Sequence, residues 1–261
     1  MIKFLGIQYD AQSSFLQGPA LAPDRIRQTL HNGAGNYWTE HTFNPIEDER
    51  FTDIGNLHFD DYFDIKNKMT EVLSDGSKTL TMGGDHSITY PIIQAYQEAF
   101  GEMEILQIDA HGDLYDNFEG NKYSHACPFA RIMESGLVCK LTQVGIRTFN
   151  PHQRKQVERF GVKVVEAKDF ADQWKNLVFE KPVYISLDLD GLDPAHAPGV
   201  SHHEPGGLTT RQVLDLLFSI KTPIIGADIV EYNPHRDHAD RTAAVAAKFV
   251  KEIAGKMLAG H

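Results

Sequence analysis

Asp109, His111 and Asp113 stand at alternate positions in the segment DAHGD (109–113). Asp188 and Asp190 repeat that spacing in DLDGLD (188–193). On an extended chain alternate side chains share a face. Carboxylates and imidazoles crowded there repel one another and lose hydration unless a cation compensates. Taken singly, each of these residues also suits a turn or a helix cap. Together with His86 of GGDHS (83–87) they make four carboxylates and two imidazoles without a thiolate. A set so rich in oxygen suits Mn²⁺ or a related ion, Ni²⁺ or Co²⁺, better than structural zinc. Six ligands are too many for one ion that keeps an open position. Two ions roughly 3.5–4 Å apart, with bridging carboxylates and an acidified water between them, match the count.

The elements that must position these residues alternate between strands and helices. Apolar runs predict strands at 3–8, 78–82, 104–109, 141–146, 162–167, 182–190 and 223–232. Helical spacing predicts helices over 22–30, 60–73, 91–100, 128–135, 152–160, 209–220 and 240–258. Thr209, three residues before Gln212, has capping-box spacing. The alternation predicts one domain over 1–261, an α/β fold of three layers with a mostly parallel central sheet. In such sheets ligands bind beyond the carboxyl ends of the strands. GGDHS, DAHGD, DLDGLD and EYNPHRD (231–237) each follow a predicted strand, so four strand ends would converge on one site. The dinuclear phosphoesterase pattern is excluded, because GDLYD (112–116) overlaps DAH and no G-N-H occurs.

The 261 residues carry 36 acidic against 25 basic side chains, a formal charge of −11. That balance disfavours a nucleic-acid partner and favours small cations. The N-terminus MIKFLGIQYD has no signal-peptide pattern, and no apolar run reaches the ~18 residues of a membrane span. Cys127 and Cys139 form neither a disulfide framework nor a thiolate zinc site. The expected setting is cytoplasmic.

The blocks GGDHS, DAHGD, SLDLDGLDP (186–194) and EYNP…DHADRTA (231–243) resemble the ureohydrolases, the family of arginase, agmatinase and formiminoglutamase. The resemblance covers most of the chain and implies an arginase-like fold, two Mn²⁺ per subunit and a homo-oligomer, trimeric or hexameric. It implies that His86, Asp109, Asp113 and Asp188 hold one ion. His111, Asp109, Asp188 and Asp190 would hold the other, with Asp109 and Asp188 bridging. Asp113 would also orient the nucleophile. YSHACPF (123–129) resembles the loop of the family's catalytic histidine, here His125, and Glu231 matches the carboxylate that grips the substrate guanidinium. Hydrolysis of a small cationic guanidino compound to an amine and urea is thereby implied.

Two departures from the arginase pattern bear on the substrate. Leu114 and Tyr115 stand where arginases place an Asn on the α-carboxylate. Asn150 replaces the acidic residue after GIR (145–147), and is carried with His125 and Glu231 as a substrate contact. The loop at 123–134 is closer to the agmatinase version, so agmatine, hydrolysed to putrescine and urea, is the first expectation. Alternatives are guanidinobutyrate, arginine or formiminoglutamate, and a non-catalytic relative that binds metal or polyamine. APGVSHHEPGG (197–207) departs from the family's GTGTPE-like turn, and leaves His202, His203 and Glu204 either lining the pocket or exposed. AQSSFLQGPALAPDRIR (11–27) resembles the N-terminal loop on the substrate side.

Overall fold

A computed structural model describes residues 1–259. Eight strands form one fully parallel sheet: β1 (Ile2–Gly6), β2 (Phe51–Asn56), β3 (Lys78–Met82), β4 (Glu104–Ile108), β5 (Lys140–Ile146), β6 (Lys163–Glu166), β7 (Val183–Asp188) and β8 (Ile224–Val230). The order across the sheet is β2-β1-β3-β8-β7-β4-β5-β6. Between them run α1 (Ala22–His31), α2 (Asp64–Leu73), α3 (Thr89–Phe100), α4 (Pro128–Glu134), α5 (Pro151–Phe160), the single turn α6 (Phe170–Gln173) and α7 (Thr210–Ser219), and α8 (Arg241–Ala259) follows β8.

Alternation along the strands produces two cores, one on each face. Phe4, Leu106, Ile185 and Ile229 pack with Ile26 of α1, Leu217 of α7 and Phe249 of α8. Leu5, Ile105, Tyr184 and Ile225 pack on the other face with Met69 of α2, Ile92 of α3 and Phe129 of α4. The result is the expected three-layer α/β/α architecture. The capping box at the start of α7 is present: Gln212 N donates to Thr209 Oγ1 (3.1 Å) and Thr209 N donates to Gln212 Oε1 (2.8 Å).

One strand has no counterpart among the sequence-based expectations. β2 reads FTDIGN, carries Asp, Gly and Asn, and lies at the sheet edge with three consecutive exposed residues. An edge strand that touches the core only through Phe51 needs no apolar run, so its sequence has the composition of a loop. The helix expected from residue 60 begins instead at Asp64, whose Oδ2 accepts from the backbone N–H groups of Asp60 and Asp61 in the preceding turn.

The four polar blocks leave β3, β4, β7 and β8, which are the four central neighbours of the sheet. Because all run parallel, their carboxyl ends lie on one edge. Beneath that edge a row of polar side chains crosses five strands in register: Thr81, Asp228, Ser186, Gln107 and Gln143. All five are buried, in positions where an ordinary sheet core is apolar.

Candidate metal centre and catalytic cavity

Strand geometry holds for only part of the ligand segments. β4 ends at Ile108, and Asp109–Asp113 forms a loop in which Asp113 has φ +47°. Asp188 is the last residue of β7, whereas Asp190 lies in a 3-10 turn, Leu189–Gly191, beyond it. The expected extended segments are therefore corrected to strand-end loops. A cluster around ions needs side chains from several directions, which one straight strand face does not offer. Gly191 lets the two loops touch, since a Cβ there would lie 2.8 Å from Asp109 N.

His86, Asp109, Asp113, Asp188, Asp190 and His111 do come together. His86 Nδ1 lies 3.1 Å from Asp109 Oδ2, 3.1 Å from Asp113 Oδ2 and 3.2 Å from Asp188 Oδ2. His111 Nδ1 lies 3.0 Å from Asp190 Oδ2 and 3.6 Å from Asp109 Oδ1. Asp109 thus spans both groups, one oxygen toward each histidine. The sets His86–Asp109–Asp188 and Asp109–His111–Asp190 each present ligand atoms close enough to hold a metal ion.

Hydrogen bonding beneath the cluster shows that these residues fit a cation. Ser186 Oγ donates to Asp228 Oδ1 (2.7 Å), and Asp228 Oδ2 accepts from Thr89 Oγ1 and Tyr184 Oη. With its proton committed to Asp228, Ser186 Oγ accepts from His86 Nε2 (2.9 Å). In neutral imidazole that leaves a bare lone pair on Nδ1, facing three carboxylates, and Nδ1 is a buried atom without a hydrogen-bond partner. Acceptors facing acceptors require either a proton or a metal between them. Burial opposes charge on His86, yet the facing carboxylates of Asp109, Asp113 and Asp188 raise its pKa well above the ordinary value. Burial pushes Asp113 up to about 6, with Asp109 adding to the shift. It also raises Asp188 well above the carboxylate range, reinforced by Asp190 and Asp109. A divalent ion relieves all three. The polar row extends the support, because Gln107 Nε2 donates to Asp109 Oδ2 (2.7 Å) and Gln143 Nε2 to Gln107 Oε1 (2.6 Å).

Beside the cluster, His125 Nδ1 meets Glu231 Oε1 at 2.8 Å, and the same oxygen accepts from His86 N (2.8 Å). Glu231 has φ +64°. Burial disfavours its charge, but His125 outweighs that and lowers its pKa. Burial likewise disfavours protonated His125, and Glu231 overcomes it, lifting His125 to about 9. The other ring atom, His125 Nε2, accepts from Ser14 N (3.2 Å) and lies 2.8 Å from Ser14 Oγ.

Ser14 reaches His125 because the N-terminal loop is fastened to the block after β3. Asp85 Oδ2 accepts from Gln12 N (3.0 Å) and Ser13 Oγ (3.3 Å), and Asp85 N donates to Tyr9 O (2.8 Å). The close approach requires Gly84, where a Cβ would stand 1.6 Å from Tyr9 O. Backbone cannot yield as a side chain end can. Gly84→Ala is therefore expected to destabilise the fold by about 3 kcal/mol, the upper end of overpacking costs, read as a lower urea midpoint at unchanged slope.

A cavity of about 250 Å³ opens over the cluster, lined among others by Asp113, His125, Asp188, Asp190, His202, Glu204 and Glu231. Tyr115 and Ser14, the latter from the loop at 11–27, also line it, as do Thr148 and Gln153, which no sequence pattern singled out. Asn150 does not line it, a correction to its expected role. Its Oδ1 caps α5 by accepting from Gln153 N (2.9 Å), while its Nδ2 donates to Tyr115 Oη (2.6 Å). Asn150 thus positions two wall residues, with both ends of its amide turned to protein partners. Arg147 is equally committed: its guanidinium donates to the carbonyls of Gly145, Asp190, Gly191, Leu192 and Glu204.

Comparison with known proteins agrees with this geometry. The profile of the Arginase family matches residues 1–255. Arginase 1 (mitochondrial) of Arabidopsis thaliana is 46% identical over 273 aligned positions, covering 97% of this chain and 80% of that protein. An N(1)-aminopropylagmatine ureohydrolase of Thermus thermophilus is 40% identical, covering 69% of this chain and 64% of that protein. Among solved structures, arginase from Medicago truncatula superposes with a TM-score of 0.93 at 43% identity, covering 98% of this chain and 87% of that one. On the profile match, the identity and the shared fold, the chain belongs to the Arginase family.

Proposed function

We propose that the protein is a binuclear Mn²⁺-dependent hydrolase that converts a guanidino-amine to an amine and urea, with agmatine the substrate its cavity suits best. One observation carries the reading: His111, Asp113, Asp188 and Asp190 of the cluster and the His125–Glu231 pair line one cavity with no Lys or Arg among its lining residues. His86, Asp109, Asp113 and Asp188 would hold one ion, and His111, Asp109, Asp188 and Asp190 the other. Bound there, the pair supplies the Lewis acidity that makes water nucleophilic at neutral pH.

The chain's own residues do the rest. Glu231, kept anionic by His125, receives the guanidinium through charge-assisted hydrogen bonds. Asp113 orients the attacking water. The water oxygen bonds the guanidinium carbon as one water proton passes to Asp113, and the bond from that carbon to the chain-bearing nitrogen breaks with its electron pair going to nitrogen. The departing amine takes a proton from Nε2 of protonated His125, the atom that faces Ser14 and accepts from Ser14 N only in the neutral ring, and the last hydroxyl proton returns to His125 as urea forms. Fixing both reactants within one small cavity supplies much of the rate.

Agmatine is favoured by charge. A substrate carboxylate would meet no free cation on the lining, since Arg147 is spent on main-chain carbonyls. A second reading, arginine, is favoured by the names of the relatives that align along nearly the whole chain. Urea release from agmatine, arginine, guanidinobutyrate and formiminoglutamate, each with Mn²⁺, ranks them by kcat/KM. Agmatine is expected first. Arginine ahead of it would select the second reading, and no urea from any guanidine would end both.

A further inference from the structure

The loop at 198–207 is built as a wall that leaves one carboxylate, Glu204, without an ion pair among the described residues. Gly199 N donates to Thr242 Oγ1 (2.7 Å) and Gly199 O accepts from Asn233 N (2.8 Å). Ser201 Oγ accepts from Asn233 Nδ2 (2.9 Å), and His203 turns outward with Nε2 2.7 Å from Pro198 O. At the far side Asp193 Oδ2 accepts from Gly206 N (2.7 Å) and Gly207 N (3.1 Å). Arg147 grips the carbonyl of Glu204 through Nε (2.9 Å) and Nη2 (2.6 Å). Eight such contacts along ten residues leave this segment little freedom.

Two side chains from it enter the cavity, His202 and Glu204. The His202 ring packs 5.6 Å from that of His125, deep in the site, and 5.5 Å from Phe15, which is 65% exposed. His202 therefore runs from the reacting end to the mouth, as a flat surface along which an aliphatic chain can lie. Glu204 is half-buried, whereas Glu231 is buried, so Glu204 stands nearer solvent. The other lining carboxylates are engaged, Asp113, Asp188 and Asp190 with the histidines of the cluster and Glu231 with His125. Among the described residues the Glu204 carboxylate has no hydrogen bond and no ion pair. Its main chain is fixed by Arg147 while that guanidinium is turned to carbonyls and does not neutralise it.

We propose that Glu204 is a specificity-determining residue that binds the distal ammonium of a guanidino-amine whose guanidinium lies at Glu231. The inference rests on the proposed reaction and adds what recognises the other end of the substrate. A fixed carboxylate at the mouth discriminates by charge. It attracts an ammonium, is indifferent to a methyl group and repels a carboxylate.

The test compares the Mn²⁺-loaded wild type with Glu204→Gln on agmatine, butylguanidine and guanidinobutyrate. It adds calorimetric binding of putrescine, which needs no turnover. The substitution is expected to lower kcat/KM for agmatine about ten- to a hundredfold, mainly through KM, as loss of a charge-assisted contact does. Butylguanidine should change by no more than about twofold, since it makes no such contact. Guanidinobutyrate should improve, and putrescine binding should weaken with agmatine. An equal loss on agmatine and butylguanidine, or putrescine binding that ignores the substitution, would overturn the assignment. No urea from any guanidine with wild type would instead overturn the reaction. Putrescine binding that depends on Glu204 would still support the ammonium site in that case.

Discussion

Asp188→Ala is expected to strip metal and activity together. Asp188 is 2% exposed, ends β7, and aims Oδ2 at His86 Nδ1 from 3.2 Å. Its Oδ1 accepts from Asp190 N (2.7 Å), so the same side chain also sets the turn that presents Asp190. Alanine removes one ligand and loosens another. Bound manganese should fall from two ions per chain to one or none, and kcat/KM by more than about a thousandfold, because hydroxide is no longer generated at neutral pH. The metal-free variant should melt close to metal-free wild type, because Asp188 is one of three carboxylates crowded on a single imidazole and its deletion relieves their mutual repulsion. The rise in Tm on adding Mn²⁺ should shrink with lost binding. Elemental analysis and melting curves check both halves. Full metal content in the variant would take Asp188 out of the ligand set.

His125→Ala should separate what Asp188→Ala joins. His125 touches Glu231 and Ser14 and belongs to neither ligand group. Turnover should fall about 10²- to 10⁴-fold, the range of a lost general acid, while two ions remain bound. The pH profile gives a second signature. Burial opposes protonation of His125, but Glu231 prevails and holds it up to about 9. An acid must be protonated to act, so wild-type turnover should decline at alkaline pH as His125 loses its proton. The alkaline decline should be absent in the variant. Loss of metal from His125→Ala would show that the residue supports the cluster instead.

Which parts of this molecule can be read from its sequence follows from physical locality. β3, β4, β5, β7 and β8 are buried on both faces and write their positions as apolar runs, whereas edge strand β2 is bound by main-chain pairing and leaves little trace. The ligands are legible because His and Asp concentrate where a sheet edge gathers its loops, although the extended geometry first expected for them gives way to turns at Asp113 and Asp190. Asn150 marks the limit of position-by-position transfer. The same amide suits a substrate contact and a helix cap, and only its bonds to Gln153 N and Tyr115 Oη decide. Gln12 and Asp85 meet through a loop folded across 73 residues of chain separation, which no local pattern encodes. The row Thr81, Asp228, Ser186, Gln107 and Gln143 aligns only once the strand order is known.

Anomalous diffraction at the manganese edge from crystals grown with Mn²⁺ addresses the shared geometry of the cluster directly. Two peaks per chain are predicted, with Asp109 and Asp188 contacting both, His86 and Asp113 on one side, and His111 and Asp190 on the other. A single peak, or two that leave the β3, β4 and β7 strand ends unoccupied, would contradict it.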